Sequence, residues 1–429
     1  LARAGRRVTL VGRPPPPLHG RTVALFEGSL LALDALGLGD ALTGHSAAIR
    51  SFRIVDDTGS VFAPPPAIFE AADIGLEAFG QNIANDDLVH ALAVIAEATP
   101  NLDRRDAMVA AYDFASDHVC ATLDNGATVD ARLVVAADGH ASPARQAAGI
   151  ETREWAYPQV ALTALLRHRR TNGAFSTEFH TRSGPFTFVP LPPLPDALHR
   201  SSLVWLMTPD EGERRRALAS DALAREIEDQ SKHWFGSVAI EGKIAVFPMR
   251  TLQAKHLVAT RLLLVGEAAH AFPPLAAQGL NLGIRDVADA VATFANLPLD
   301  DDATVESALQ GFEESRRTDI DLRTRGVDLL NRSLLAPFLP ADMLRGAALA
   351  AEFEFKLGQG GHDGGHAGDA QDVALLGRAV ADQREGVRQH RDGAGGHSHA
   401  VGVGLVADVD HVGLAGGVEM GKLTHGRGA

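Results

Sequence analysis

Hydrophobic and polar positions in the first part of the chain follow the periods of both helices and strands. Apolar residues recur at helical spacing in 29–42 and 87–98, which predicts two helices. The segments 7–11 and 51–55 are short apolar or alternating runs, which predict strands. Residues 1–5 end in a glycine and resemble the last turn of a helix. This order of elements predicts an α/β fold.

Two later segments, 131–145 and 261–270, each contain an apolar run that leads into a glycine beside an acidic residue. Uninterrupted apolar runs are typical of strands buried on both faces, as in a parallel sheet. Between them, residues 159–207 change to strands rich in Phe, Thr and Val, which predict an antiparallel sheet. A helix over 281–295 follows the second run. We therefore expect a parallel sheet that the chain leaves and later rejoins.

The last part of the chain has a different character. A charged helix that contains Arg316 and Asp319 is expected to continue to about Ala350. Beyond Leu357 the sequence is dominated by Gly, His, Ala and Asp, and it shows little periodicity. Three interpretations stay open for this tail: a flexible linker, a histidine-rich metal-binding tract, or a stretch translated out of frame.

Composition excludes several classes of protein. The 429 residues are 45% hydrophobic and 22% charged, which suits a globular protein of two or three domains. The net charge of −14 argues against a nucleic-acid partner, because phosphate neutralisation needs a basic face. The single cysteine, Cys120, provides neither a disulfide nor a zinc site. Without an apolar run long enough to span a membrane or a secretory signal, a cytoplasmic location is expected.

One candidate site follows the second apolar run. Gly266 and Glu267 end the predicted strand, Pro274 stiffens the loop, and Gln278–Asn281 opens the next helix. A carboxylate at a strand end can bind a sugar-like hydroxyl, and a glycine lets backbone N–H groups approach a flat ring. The positive end of the helix, which begins near Gly279, would stabilise negative charge on that ring, as on a reduced flavin. Alternatively, Glu267 caps a helix and the prolines only shape a turn.

A second candidate site follows the first apolar run. Asp138 can accept a hydrogen bond from a hydroxyl or a backbone N–H, and Gly139 permits close approach of a ligand. Asp-Gly is also a common turn, so the pair alone is a weak signal. Arg145 binds either a phosphate or a neighbouring carboxylate, and the sequence does not decide between them.

These two segments resemble the motifs of a known family. Residues 136–145, Ala-Ala-Asp-Gly-His-Ala-Ser-Pro-Ala-Arg, resemble the DG motif, and residues 266–283 resemble the GD motif, of the class A FAD-dependent aromatic hydroxylases with the p-hydroxybenzoate hydroxylase fold. The likeness extends from Leu1 to about Ala350. Within the family the chain is more similar to the ubiquinone-biosynthesis hydroxylases, on the segments 157–161, 184–191, 315–319 and 327–334.

The resemblance implies a set of cofactor contacts. Glu267 stands where the family has an aspartate that binds the ribityl chain of FAD, and Pro274 with Gln278–Asn281 would surround the isoalloxazine ring. Arg21 matches an arginine near the phosphates and the flavin, and Asn85 matches a polar contact to the cofactor. A surface role for Arg21 and a helix cap for Asn85 are the alternatives. The expected cofactor-binding residues are Arg21, Asn85, Asp138, Gly139, Gly266, Glu267, Pro274, Gln278, Gly279, Leu280 and Asn281.

The chain departs from the family pattern in two further places. The first strand and its G-x-G-x-x-G turn, which hold the pyrophosphate in a Rossmann-like fold, would lie before Leu1. The acidic residue that normally ends the next strand is absent, because Val11 is followed by Gly12 and Arg13. We expect a Rossmann-like FAD-binding domain, incomplete at its N-terminus, with an inserted antiparallel-sheet substrate domain. The expected division is 1–150 and 251–350 for FAD binding with the C-terminal helices, 151–250 mostly for substrate, and 351–429 as a disordered or out-of-frame tail.

By resemblance, the enzyme would be a monooxygenase that hydroxylates a phenolic ring with FAD, NADH or NADPH, and O₂ in ubiquinone biosynthesis. No residue identifies itself as a catalytic base, and none is assigned; His270 is the tempting candidate, in a motif better explained by cofactor binding. A polyprenylated aromatic substrate would require contact with the inner membrane surface or with other proteins of the pathway. Two alternatives stay open: a non-catalytic remnant of a truncated or frameshifted gene, and another flavin-dependent oxidoreductase on the same fold.

Overall fold

The computed structural model of the chain describes residues 1–14, 20–59, 65–194, 199–274, 277–335 and 400–405. Within these residues there are seven α-helices and four sheets. The helices are α1 (Glu27–Ala35), α2 (Asn85–Ala98), α3 (Pro143–Ala147), α4 (Pro209–Arg216), α5 (Ser220–Gln230), α6 (Gln278–Phe294) and α7 (Asp302–Leu335).

The strands follow one another along the chain in the same notation. They are β1 (Arg7–Val11), β2 (Thr22–Phe26), β3 (Ser46–Ile49), β4 (Ser51–Asp56), β5 (Ala67–Glu70), β6 (Gly80–Ala84), β7 (Leu102–Arg105), β8 (Val109–Phe114), β9 (Val119–Leu123), β10 (Thr128–Ala131), β11 (Leu133–Ala137), β12 (Thr152–His168), β13 (Phe175–Thr181), β14 (Gly184–Leu191), β15 (His199–Met207), β16 (Val238–Ala254), β17 (Val258–Ala259), β18 (Leu262–Leu264), β19 (His270–Ala271) and β20 (Ala400–Leu405).

A six-stranded sheet, in the order β17-β18-β11-β20-β1-β7, forms the centre of the first unit. All its neighbouring strands are parallel except β17, which pairs antiparallel with β18. Strands β11 and β18 consist of apolar residues because both of their faces are covered. Phe294 of α6 and Phe312 of α7 pack in the same core as these strands. The expected parallel sheet, left after β11 and rejoined at β18, is present.

Strand β20 comes from the tail of the chain. Residues 400–405, which lie in the segment expected to be disordered or out of frame, pair in parallel register with both β1 and β11. Apolar Val401, Val403 and Leu405 alternate with two glycines. Such a strand is too short and too rich in glycine to be recognised in the sequence. Backbone pairing on both sides stabilises such a segment. The rest of 351–429 lies outside the described residues.

An eight-stranded sheet, in the order β19-β16-β12-β15-β14-β13-β4-β5, forms the second unit. Its pairs are antiparallel apart from β13 with β4, as expected for 159–207. One face packs against α5, where Leu223 and Ile227 meet Phe186. On another part of the sheet, Met249 packs with Val327 of α7. The large sheet is therefore covered by helices from two parts of the chain.

Several element boundaries differ from the prediction. Residues 1–5 form hydrogen-bonded turns rather than a helix. The helix expected over 29–42 ends at Ala35, because Gly37 adopts a left-handed φ of 69°, and a separate 3₁₀ helix covers Gly39–Leu42. The helices α2 and α6 begin slightly earlier than predicted. The end of α7 expected near Ala350 lies outside the described residues.

Candidate cofactor site

The two glycine-acid turns lie side by side at the carboxyl edge of the parallel sheet. Strands β11 and β18 are neighbours, and the N–H of Val265 donates to the carbonyl of Ala136 over 2.9 Å. Asp138 and Gly266 therefore leave the sheet next to each other. In open α/β sheets, ligands bind at this edge of the strands.

The turn after β11 leaves buried polar atoms without a partner. The Oδ2 atom of Asp138 accepts the Ala144 N–H over 3.0 Å, at the start of α3. Its Oδ1 atom and the Nε2 atom of His140 are buried and have no hydrogen-bond partner within the described residues. Burial raises the pKa of the Asp138 carboxyl, although hydrogen bonds from Ser142 and Ala144 oppose this shift. Gly139 is left-handed, with a φ of 82°, as a tight turn requires.

Arg145 bonds the backbone of both turns. Its guanidinium, 4% exposed, donates to the carbonyl of Ala268 over 2.8 Å and to the carbonyl of His140 over 2.6 Å. Because these carbonyls belong to the two turns, Arg145 ties one turn to the other. A sequence pattern does not show such backbone partners.

The turn after β18 has free space at the Cβ position of Gly266 and is closely packed against α6 at Gly283. Gly266 has a φ of 58°, and a Cβ atom built on it would have no neighbour within 4 Å. A Cβ atom on Gly283 of α6 would come within 3.2 Å of the Gly266 Cα. Glu267 is exposed in the short 3₁₀ helix Gly266–Ala268, whose N-cap residue is Val265. The α6 helix therefore approaches the turn closely from one side and leaves the other side accessible.

His270 is a buried histidine whose Nε2 atom has a partner. It lies 2.6 Å from Oδ2 of Asp286, and both side chains are almost fully buried. Burial alone would raise the pKa of Asp286, but His270, Arg316 and the Gly266 N–H together hold it below its ordinary value. Asp286 was not singled out in the sequence. Its signal was an acidic residue on the apolar, buried face of a helix.

The first turn of α6 is held by Asn281. Its Oδ1 atom accepts the Phe26 N–H (3.0 Å) and the Ser29 hydroxyl (2.7 Å), while its Nδ2 atom donates to the carbonyls of Ala24 (2.8 Å) and Ala277 (2.6 Å). These four bonds use the full hydrogen-bonding capacity of the amide. The Asn281 side chain therefore joins β2 and α1 to the start of α6.

The other residues expected around the flavin differ in exposure. Gln278 is 1% exposed, whereas Leu280 is 42% exposed. A Cβ atom on Gly279 would meet nothing within 4 Å. Pro274 is half-buried, and residues 275–276 of its loop lie outside the described part of the chain. The helix start thus has an open side at Gly279.

Arg21 and Asn85 are neighbours at the ends of β2 and β6. The Asn85 N–H donates to the Arg21 carbonyl over 3.2 Å. The Arg21 guanidinium lies 4.4 Å from the centroid of the Phe247 ring, so Arg21 is half-buried rather than a plain surface residue. Asn85 is not a side-chain cap, because the N-cap residue of α2 is Ala84 and the buried Oδ1 atom of Asn85 has no partner.

The structure thus brings the predicted residues into two groups that α6 connects. One group contains the turns at Asp138 and Gly266, and the other contains Arg21 and Asn85 next to β2. Buried polar atoms that lack partners within the described residues, and glycines whose Cβ positions are unobstructed there, are what a polar cofactor would fill, so these residues fit FAD. Among the described residues, no three or more His, Cys, Asp or Glu side chains are grouped as a metal site would require.

A parallel sheet that ends in Asp-Gly and Gly-Glu turns, beside a large antiparallel sheet, defines the class of FAD-binding flavoproteins. The FAD binding domain family matches residues 1–319. The chain belongs to this family and is a flavoprotein monooxygenase, with FAD as its cofactor. The expected fold class and enzyme class are confirmed.

Relatives and solved structures agree with this assignment. Ubiquinone hydroxylase UbiL of Rhodospirillum rubrum is 31% identical over 365 residues, which cover 82% of this chain and 81% of that protein. The 3-demethoxyubiquinol 3-hydroxylase of Escherichia coli is 30% identical, over 82% of this chain and 90% of that protein. PqsL of Pseudomonas aeruginosa in complex with 2-aminobenzoylacetate shares the fold with a TM-score of 0.67 at 21% identity, over 82% of this chain and 94% of that one.

Proposed function

We propose that the chain uses FAD, a nicotinamide nucleotide and O₂ to hydroxylate a phenolic ring in ubiquinone biosynthesis. The names of its relatives support the pathway and the aromatic substrate. The observation that carries the proposal is the pair of turns at Asp138 and Gly266, which combine unpartnered buried atoms with open space above a glycine.

In this proposal the two groups of residues hold different parts of FAD. Asp138 would accept a hydrogen bond from the polar chain of FAD, and Gly139 would let this chain come close to the backbone. Glu267, exposed at the same edge, would bind the ribityl hydroxyls. Gly266 and Gly279 would let the backbone approach the cofactor, with Pro274, Gln278, Leu280 and Asn281 shaping the flavin side. Arg21 and Asn85 would complete the site from β2 and β6, where the unpartnered Oδ1 atom of Asn85 can accept a hydrogen bond.

Bound FAD, once reduced, would supply the activation of O₂. The protein would contribute charge stabilisation, because α6 begins at Gln278 and the N-terminal turn of a helix carries the positive end of its dipole. Arg21 adds a fixed positive charge, oriented by the face of Phe247. His270 is not proposed as a base, since its Nε2 atom is engaged by Asp286 in the core.

The substrate ring would lie between the eight-stranded sheet and strands β2 and β6 of the three-stranded sheet. Two buried polar atoms in this region, Oδ1 of Asn82 and Oγ1 of Thr163, have no hydrogen-bond partner. The Asn82 amide already donates to the carbonyl of Pro190 over 2.9 Å, and Gly20 packs against the Thr163 carbonyl. Both unpartnered oxygens could accept a hydrogen bond from a phenolic hydroxyl, which would orient the ring.

The domain division proposed from the sequence assigns residues 151–250 mostly to the substrate, and residues 1–150 and 251–350 to FAD binding with the C-terminal helices. A polyprenylated substrate would further require contact with a membrane surface or with pathway proteins. None of the helices in the described residues is long and apolar enough to cross a membrane. The membrane contact proposed here is peripheral.

A cofactor-binding experiment tests the proposal directly. The purified chain is incubated with FAD and desalted, and its absorbance is recorded before and after anaerobic addition of NADH or NADPH. We expect retained flavin bands that the nicotinamide nucleotide bleaches, followed by hydroxylation of an added phenol in air. A colourless chain would support the non-catalytic alternative, and bleaching without oxygen insertion would support another flavin-dependent oxidoreductase.

A matched pair of glycine variants tests where FAD binds. Among the described residues, a Cβ atom meets nothing within 4 Å at Gly279 or at Gly311 of α7, so both positions accommodate the start of a side chain. Gly279→Leu would fill the space proposed for the cofactor, and we expect it to lose FAD. Gly311→Leu should retain FAD as the wild type does. Equal retention by both variants would refute the proposed position.

A further inference from the structure

A series of buried charged side chains begins at Gly266, the first residue of the loop 266–278 that contains the candidate cofactor residues. The Oδ2 atom of Asp286 accepts the Gly266 N–H over 2.9 Å and lies 2.6 Å from His270. Its Oδ1 atom accepts from Nε of Arg316 over 2.9 Å. The side chains of Asp286, His270 and Arg316 are at most 6% exposed. The turn is thus connected through α6 to a cation on α7.

The same series returns to the other end of the loop. Arg316 also donates to Asp319 over 3.0 Å, and Asp319 accepts from Arg323 over 2.6 Å. Nη1 of Arg323 then donates to Oε1 of Gln278 over 3.2 Å, at the first residue of α6. Helix α7 therefore connects both ends of the loop 266–278.

The series contains as many guanidinium groups as carboxylates. Neighbouring guanidinium groups lower the pKa of Asp319 against the effect of burial. The participating carboxylates are Asp286, Asp289 and Asp319, and the participating guanidiniums are Arg285, Arg316 and Arg323.

We propose that this network positions the two ends of the loop, Gly266 and Gln278, with Arg316 and Arg323 of α7 as positioning residues for FAD. The inference rests on the FAD site proposed above. A buried ion-pair network is weak evidence of stability, since apolar residues of similar volume often fold as well. Here both ends of the network terminate on the loop itself, at the Gly266 N–H and the Gln278 amide. The network therefore sets where these two groups lie.

Arg323→Met is the test variant, because it removes the bond to Gln278 while Asp319 keeps Arg316 as a partner. Arg317→Met is the matched control, since Arg317 lies on the same helix but bonds Glu313 and the Lys255 carbonyl rather than a residue of the loop. We expect Arg323→Met to raise the Kd for FAD about tenfold, the lower range seen when outer partners of bound groups are removed. Arg317→Met should leave the Kd unchanged. Visible circular dichroism of the bound flavin should change only in Arg323→Met.

A double-variant cycle identifies the route of the effect. If Arg323 acts through Gln278, Arg323→Met should have little further effect on the Kd in a Gln278→Ala background. An equal effect in both backgrounds, or an unchanged Kd and dichroism in Arg323→Met, would overturn the inference. Should Arg323→Met fail to fold, Arg323→Lys keeps the charge beside Asp319 and is subject to the same comparison.

The wild-type chain separates this inference from the proposed function. If the wild type binds FAD and the variants behave alike, only the positioning role fails. If the wild type binds no FAD under any condition, the proposed function fails and the positioning role with it.

Discussion

Changing Asn281 to aspartate exchanges one NH₂ group for an oxygen at a buried position. The amide is 3% exposed, and its two donors face the carbonyls of Ala24 and Ala277 at 2.8 and 2.6 Å. In the Asn281→Asp variant these two carbonyls would face a carboxylate oxygen instead of a donor. The two acceptor bonds from Phe26 and Ser29 would remain possible.

The expected loss follows from these contacts. Each lost hydrogen bond costs about 1 kcal/mol net, and a buried group left unsatisfied costs about 1 to 3 kcal/mol. Asn281→Asp should therefore reduce the free energy of unfolding by about 4 kcal/mol at neutral pH. Burial without a cation would raise the pKa of the new carboxyl, so protonation on lowering the pH to about 5 should restore part of the loss.

Urea unfolding of the FAD-free chain at pH 8 and pH 5, followed by tryptophan fluorescence, measures both effects. The control is Asn125→Asp, because Asn125 is exposed and its side chain accepts a single bond from the Ala127 N–H, which aspartate retains. That control should stay within about 0.5 kcal/mol of the wild type. An Asn281→Asp variant as stable as the control would refute the role assigned to Asn281.

Three other variants test the site. Gly283→Ala would place a Cβ atom 3.2 Å from the Gly266 Cα, and thermal unfolding should show a loss of about 1 to 2 kcal/mol that Gly311→Ala does not share. For Asp138→Asn, the free energy of unfolding in urea should exceed that of the wild type by an amount that grows as the pH rises from 4 to 8. The reason is that burial raises the native pKa of Asp138, so its ionisation costs the wild type stability as the pH rises. A gain independent of pH would contradict this. The depressed pKa of Asp286 predicts stability that is present above about pH 4 and lost as the pH falls further, so Asp286→Asn should weaken the dependence of unfolding on acid pH.

The sequence predicted those parts of the fold that depend on local pattern. The apolar runs that end at Asp138 and at Gly266 lie in neighbouring parallel strands. They could be predicted because an uninterrupted apolar run is typical of a strand buried on both faces. The antiparallel sheet over 159–207 followed from composition in the same way. The end of α1 was misplaced since the apolar period continues past Gly37, where the backbone turns to a left-handed φ.

Contacts between distant segments could not be predicted. Arg145 bonds two backbone carbonyls, one of them in a turn 123 residues away, and Asn281 bonds a strand more than 250 residues earlier. Neither partner has a residue type that a pattern could identify, because any residue presents a carbonyl. Strand β20 was missed for the same reason, since its pairing depends on backbone groups of β1 and β11.

The hydrogen-bond state of each residue separates two kinds of role in this site. Asn281 and Arg145 have their side-chain bonds within the protein, so each holds one element against another whether or not FAD is bound. The Oδ1 atoms of Asp138 and Asn85, by contrast, are buried and have no hydrogen-bond partner in the described part of the chain, which costs free energy that a ligand or an ordered water can recover. Loss of the first kind of residue should reduce the stability of the free chain. Substitution of Asp138 or Asn85 should weaken FAD binding, and it should leave the stability of the free chain unchanged or increase it. Measuring denaturation and FAD binding for variants at all four positions would show the two effects separately.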